Sequence, residues 1–361
     1  MRIAMVAPLA EDVPPKKYGG TERVVSVLTE ELVRRGHDVT LFATAESETS
    51  ARLVPCAPHA LRMEQNTPLG NAYQLVQLSK VYERAHEFDL IHNHLDYFAF
   101  PFARLVETPT VSTTHGRLDL PHVRVAYGAF KEHHLVAISR NQQRYLPGAN
   151  WAGMVYNGID LTHFHFRPER GDYLVFLGRI SPEKRPDRAI EIARDAGMRL
   201  VIAAKVDPAD RDYYETAIAP LIRSCPLVEF VGEVDEREKD EILGKAYAYL
   251  FPIDWPEPFG LTMIESMATG TPVIAYRAGS VSEIVVDGVT GFICPTFSAM
   301  IAAVERIPEI DRAACRRHVE RHFSATRMAD DYEAVYAKVV GLDAAEETLA
   351  VQEALPLASG E

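Results

Sequence analysis

The chain has 361 residues, enough for two domains, and its 47% hydrophobic and 25% charged content is that of a globular protein, which excludes a disordered one. No apolar run approaches the roughly 18–20 residues of a membrane helix, and the four cysteines show no metal-like spacing. The net charge of −13 argues against nucleic acid as a partner, and it is uneven: residues 1–170 hold 18 basic and 18 acidic side chains, residues 171–361 hold 20 and 33.

The N-terminal "RIAMVA" predicts a strand that leads into a polar loop, not a signal peptide. That loop ends "YGGTE", with Gly19 and Gly20 ahead of Thr21 as the expected N-cap and Glu22 in the first turn. Such a loop either closes loosely onto its helix or offers its amides to a phosphate. The helix "TERVVSVLTEELVRRG" follows, then the strands "DVTLFA", "FDLIHNH", "TPTVSTTHG" and "HHLVAIS". In "HNH", His92 and His94 fall on one strand face, but no further ligand set is visible and no metal is expected. The polar stretch 163–172, "HFHFRPERGD", reads as a linker.

The second half repeats the pattern. "DYLVFLG" predicts a strand, a helix starts near Pro186, and "RLVIAA", "LVEFVG", "AYLFP" and "TPVIAY" predict further strands. Alternating strands and helices imply parallel sheets covered on both faces, so the expected fold is two doubly wound α/β domains with a cleft between their carboxyl strand ends. Neither half carries a G-x-G-x-x-G or a G-x-x-x-x-G-K-[ST] after its first strand, so dinucleotide and P-loop chemistry are not expected. Instead, "GRISPEKRP" puts Arg179 next to Gly178 at a strand end, with Lys184 and Arg185 after a short turn. Those cations either form a solvated basic loop or converge on a diphosphate, which arginine grips bidentately.

In "WPEPFGLTMIESMATG", Pro256 and Pro258 hold Glu257 in a stiff, non-helical turn. Gly260 permits close backbone approach, and the helix that follows is expected to run from Leu261 to Gly270, with Glu265 on its exposed face. Unpaired amides at the helix start form an anion site. Two acids flanking an anion site fit a ligand with hydroxyls at both ends and phosphates between, such as a nucleotide sugar. The alternative is a capped surface helix with two solvated acids.

Taken together, "YGGTE", "GRISPEKR", "EPFGLTMIE" and "GTPVIAYRAGSVSEIVVDGVTGF" resemble glycosyltransferase family 4, retaining enzymes of the GT-B fold, over roughly residues 1–340. The resemblance implies an α/β GT-B architecture of two Rossmann-like domains facing each other across a cleft. Its parts would be an acceptor-side domain at 1–168, a nucleotide-sugar domain at 169–322, a helix at 323–341 packing back on the first domain, and an acidic disordered tail at 342–361. Glu257 would bind hydroxyls of the donor sugar and Glu265 those of the ribose. Arg179 and Lys184 would bind the diphosphate. Backbone at Phe259, Gly260, Leu261 and Thr262 would bracket sugar and phosphate, with Gly178 beside it and Gly19 and Gly20 closing over the donor. His115 in "TTHG" would lie beside the reacting sugar, and backbone around Gly232 and Val234 would hold the base. His94 and Asp96 are candidates for the acceptor side.

The implied reaction moves a hexose from a UDP- or GDP-hexose, UDP favoured, to a glycan or small-molecule acceptor, without metal or cofactor, in the cytoplasm. Two alternatives stand beside it: an epimerase or phosphorylase on the same fold, or a non-catalytic protein that binds sugar nucleotides.

Overall fold

The apolar runs form two sheets. A computed structural model describes residues 1–62 and 67–341, so the expected acidic tail lies outside the described residues. The first sheet contains β1 (Arg2–Val6), β2 (Asp38–Thr44), β3 (Arg52–Ala57), β4 (Leu90–Asn93), β5 (Thr110–Thr114), β6 (His134–Ala137) and β7 (Trp151–Met154). The second contains β8 (Tyr173–Arg179), β9 (Arg199–Lys205), β10 (Val228–Gly232), β11 (Ala248–Phe251), β12 (Val273–Tyr276) and β13 (Gly291–Cys294).

Every strand pair is parallel. The orders are β3-β2-β1-β4-β5-β6-β7 and β10-β9-β8-β11-β12-β13. In each sheet the order reverses beside the first strand, between β1 and β4 and between β8 and β11. A crevice opens at such a reversal, outside the carboxyl strand ends. That is why the loops after β1, β8 and β11 carry the site.

Helix α1 (Gly20–Arg34) buries Val24, Val25, Leu28 and Leu32 against the first sheet. Each such side chain contributes roughly 1.5–3 kcal/mol when fully buried. The helix begins one residue before the expected cap: Gly19, at φ 150°, is the N-cap, and Thr21 lies inside the first turn. A side chain at Gly19 would press into Pro15, with its Cβ 2.6 Å from that ring, so glycine fits this position and a larger residue does not.

Helix α2 (Thr67–Glu83) flanks the first sheet, and α3 (Pro186–Asp195) flanks the second. Helices α4 (Glu236–Gly244) and α5 (Leu261–Ala268) lie side by side in the second half. The last helix among the described residues, α6 (Ala325–Val340), packs Met328, Ala329, Tyr332 and Tyr336 into the core of the first sheet. Residues 163–172 form no strand, but Phe164 is buried in the core of the second sheet and Arg167 pairs with Asp240 at 2.9 Å.

Candidate active site

The glutamate loop follows β11. Glu257 is buried, and its carboxylate pairs with the Lys184 ammonium, which also lies 4.7 Å above the Trp255 ring. Two residues from a distant segment fix this loop. The Ser280 N–H donates to the Glu257 carbonyl at 3.0 Å, and the Ser280 hydroxyl donates to the Phe259 carbonyl at 2.7 Å. Gly279 must be glycine: it sits at φ +53°, and a Cβ there would lie 2.3 Å from the Glu257 nitrogen. The "GS" of "RAGSVSE" therefore shapes the loop from behind.

Arg179 ends β8 and is about one-third exposed. Its guanidinium binds Glu183 at 2.6 Å and lies 3.3 Å from Asp210. Each of the two expected phosphate ligands is thus held by a carboxylate, Lys184 by Glu257 and Arg179 by Glu183.

Helix α5 corrects the sequence reading. Glu265 is 3% exposed, not on an exposed face. Six consecutive residues, Met263 to Ala268, are buried because α5 is covered on all sides. Glu265 tolerates this position because Lys239, from α4, reaches it as a buried ion pair. Desolvation pulls the Lys239 pKa below its ordinary value, opposed by the charge of Glu265. The sequence reading missed Lys239: it lies in the charged run "EREKDE", where nothing distinguishes it from solvated neighbours.

Two adjoining cavities lie along this line. The smaller, about 120 Å³, is lined by Gly19, Val234, Glu265 and Lys239. The larger, about 460 Å³, is lined by His115, Arg179, Lys184, Glu257, Phe259 and Gly260. Gly20, Gly178, Leu261 and Thr262 line both and mark where they meet. Gly232 lines neither, although it ends β10 two residues before Val234. The N–H groups at the start of α5 fall at the junction, and Gly260 precedes them at φ 86°.

His115 follows β5, and its Nε2 lies 2.8 Å from Nδ1 of His94. His94 is 3% exposed and lines neither cavity, so the acceptor-side expectation for it does not hold in this geometry. Asp96 also lies outside both linings. Its backbone is in the left-handed region at φ 47°, and burial raises its pKa to about 6. The His92 ring lies against that of His94, tilted by 39° with centroids 4.1 Å apart, so the two do share a face. His92 bonds Tyr336 OH at 2.7 Å and Thr113 Oγ1 at 2.8 Å, which ties α6 to the floor of the first sheet. Burial lowers the pKa of His92 to about 3 and of His115 to about 4.

Contacts cross the cleft on both sides. Arg23 of α1 pairs with Glu236 of α4 at 2.6 Å, and the Tyr18 N–H donates to Glu233 at 3.1 Å. Burial would raise the Glu236 pKa, but the Arg23 charge and a bond from His163 outweigh it and lower it. Across the other side, Glu283 accepts from the N–H groups of Arg140 and Asn141 at 2.7 and 2.8 Å, and from Tyr156 OH at 3.0 Å.

Comparison with known proteins matches two family models in succession: "Glycosyltransferase Family 4" over residues 18–163 and "Glycosyl transferases group 1" over residues 161–317. The chain is 28% identical to glycogen synthase of Mycobacterium tuberculosis, over 92% of this chain and 91% of that one. It is 26% identical to phosphatidyl-myo-inositol mannosyltransferase of Mycobacterium leprae, over 82% and 83%. Among solved structures it resembles sucrose-phosphate synthase from Thermosynechococcus elongatus, with TM-score 0.77, 20% identity and coverage of 96% and 100%. It also resembles Anabaena HepE in complex with UDP-glucose, with TM-score 0.72, 18% identity and coverage of 96% and 100%.

Proposed function

Because the chain belongs to glycosyltransferase family 4 and has the GT-B fold, we propose that it is a retaining hexosyltransferase that uses a nucleoside diphosphate sugar. The observation that carries this reading is the pair of joined cavities. One end holds a buried carboxylate, Glu265, suited to ribose hydroxyls. The other holds Glu257 with Arg179 and Lys184, suited to a sugar and a diphosphate. The start of α5 lies between them.

In this reading the diphosphate takes over the two cations from their carboxylate partners. Lys184 turns from Glu257 to phosphate, which leaves the Glu257 carboxylate for hydroxyls of the hexose. As the bond from the anomeric carbon to the β-phosphate oxygen breaks, negative charge grows on that phosphate. Arg179, Lys184 and the α5 amides stabilise it, which is the work a divalent ion does elsewhere. The acceptor hydroxyl attacks on the face the leaving group departs from, and the departing phosphate takes the proton. Closure of the cleft excludes water from the carbon that gains positive character.

A uridine diphosphate hexose is the favoured donor and a glycan or small molecule the favoured acceptor; the UDP-glucose complex of HepE supports the donor. The four cysteines are free and buried, which fits a reducing cytoplasm. The test is a thermal-shift screen over nucleotide sugars, followed by nucleoside diphosphate release with and without an acceptor panel. Acceptor-dependent release supports transfer. Epimerised donor without release, or tight binding without turnover, would contradict it.

A further inference from the structure

We infer that Met5 and His94 form a relay that fixes the tautomer of His115, so that its Nδ1 offers a lone pair to the cleft. Met5 lies in β1, His94 just past β4 and His115 just past β5, three strands side by side at their carboxyl ends. The Sδ of Met5 is 3.1 Å from Nε2 of His94. A thioether carries no proton and can only accept. A lone pair on Nε2 would face the lone pairs of sulfur, so the proton of His94 sits on Nε2.

The rest follows from counting protons. Burial pushes His94 well below its ordinary pKa, and His115 to about 4, so both rings are neutral near pH 7. A neutral imidazole has one N–H. His94 has spent it on sulfur, so its Nδ1 accepts. The partner at 2.8 Å is Nε2 of His115, which must therefore donate. That leaves Nδ1 of His115 unprotonated. Among the described residues it has no hydrogen-bond partner, and His115 lines the larger cavity.

An unprotonated Nδ1 accepts a hydrogen bond from a sugar hydroxyl; the other tautomer would present an N–H and reverse the direction of that bond. The relay is thus a positioning device for a residue that touches substrate, with Met5 as its far end. This consequence rests on the reading of His115 as a neighbour of the reacting sugar. The tautomer itself does not.

Two measurements separate the claims. The first is ¹⁵N NMR of histidine-labelled protein without substrate, with His115 assigned by loss of its signals in His115→Gln. The expected pattern is pyrrole-like nitrogen at Nε2 and pyridine-like nitrogen at Nδ1. In Met5→Leu, which removes the acceptor at similar volume, the pattern should become mixed or reverse. A proton on Nδ1 of His115 in the wild type, or no change in Met5→Leu, would overturn the relay. The second is turnover of two folded variants. His94→Asn keeps an acceptor near Nδ1, whereas His94→Leu removes it. His94→Leu should lose about 10- to 100-fold in kcat, the range for partners that orient an imidazole, and His94→Asn should recover most of it. Equal losses in both would reduce His94 to a space-filler. If no donor is turned over at all, the functional reading falls, and the NMR result still decides the relay.

Discussion

Lys239 and Glu265 meet as a buried ion pair between α4 and α5, each less than one-tenth exposed. Neither partner is tolerable there without the other. Removing one partner of a buried pair typically costs about 3–5 kcal/mol, because a charge is left uncompensated. Lys239→Met should therefore lower the unfolding free energy, read from denaturant curves, by an amount in that range and weaken nucleotide binding. The double variant Lys239→Met with Glu265→Gln should regain much of the stability without regaining binding. A single Lys239→Met variant as stable as the wild type would remove the pair from this account.

The two glutamates should divide their labour. Glu265→Gln should weaken binding of free nucleoside diphosphate, because the ribose end is common to donor and product. Glu257→Gln should spare that binding and lower turnover of the sugar nucleotide. Titration calorimetry with the free nucleotide and steady-state kinetics with the donor measure the two effects. Equal losses of free nucleotide affinity in both variants would contradict the assignment.

Chelation probes the role given to the cations. If Arg179, Lys184 and the α5 amides stabilise the leaving phosphate, activity after EDTA treatment and desalting should match that of untreated enzyme. Loss of activity that returns with manganese or magnesium would assign the charge stabilisation to a metal.

The buried histidines predict how stability varies with pH. His92 has a folded pKa of about 3 against about 6.5 when unfolded, because burial disfavours its charge. Its surroundings are the His94 ring, the Tyr332 ring, Tyr336 OH and the Thr113 hydroxyl, none of them anionic. A lowered folded pKa means the unfolded chain binds the proton first. The contribution is intact above pH 6.5 and is lost as pH falls toward 3, at up to about 1.4 kcal/mol per unit. The urea midpoint should fall between pH 7 and pH 5 in the wild type and fall less in His92→Gln. Parallel falls would show that His92 is not the titrating group.

The central strands and the loops that carry the site were legible in the sequence; the edges of the sheets were less so. The strands that went unread are β3, β7 and β13, and each is an edge. Edge strands need not alternate or run long, and β3 even contains Pro55, which lacks a backbone N–H and is tolerated at an edge where that donor need not pair. At the site, Glu257, Arg179, Lys184 and Gly260 sit in short motifs with their own local logic. Lys239 does not, and the motifs around Glu283 and His94 do not reveal their partners. These three act through residues 26, 143 and 21 positions away along the chain. Such partners are set by how α4, the short helix Val281–Ile284 and β4 pack, and no local spacing encodes that. Glu265 was placed on an exposed face because its helical period alone could not reveal that α4 covers it.

Arg179 offers the most direct measurement. Its guanidinium, at the end of β8, borders the larger cavity and is drawn by Glu183 and Asp210 rather than by solvent alone. If those contacts are its whole purpose, its loss should cost about 0–1 kcal/mol, as for other partly exposed pairs. A group that stabilises the leaving diphosphate acts where charge develops, and losing one such donor costs on the order of 100- to 1,000-fold in turnover. Lysine would keep the charge without the planar fork and restore part of the rate. The measurement is kcat and KM for wild type, Arg179→Lys and Arg179→Ala at saturating acceptor, with melting curves to show that each variant is folded. The account predicts a kcat loss of about 100-fold or more for Arg179→Ala and an intermediate value for Arg179→Lys. An Arg179→Ala enzyme within about threefold of wild-type kcat, far short of that loss, would contradict it.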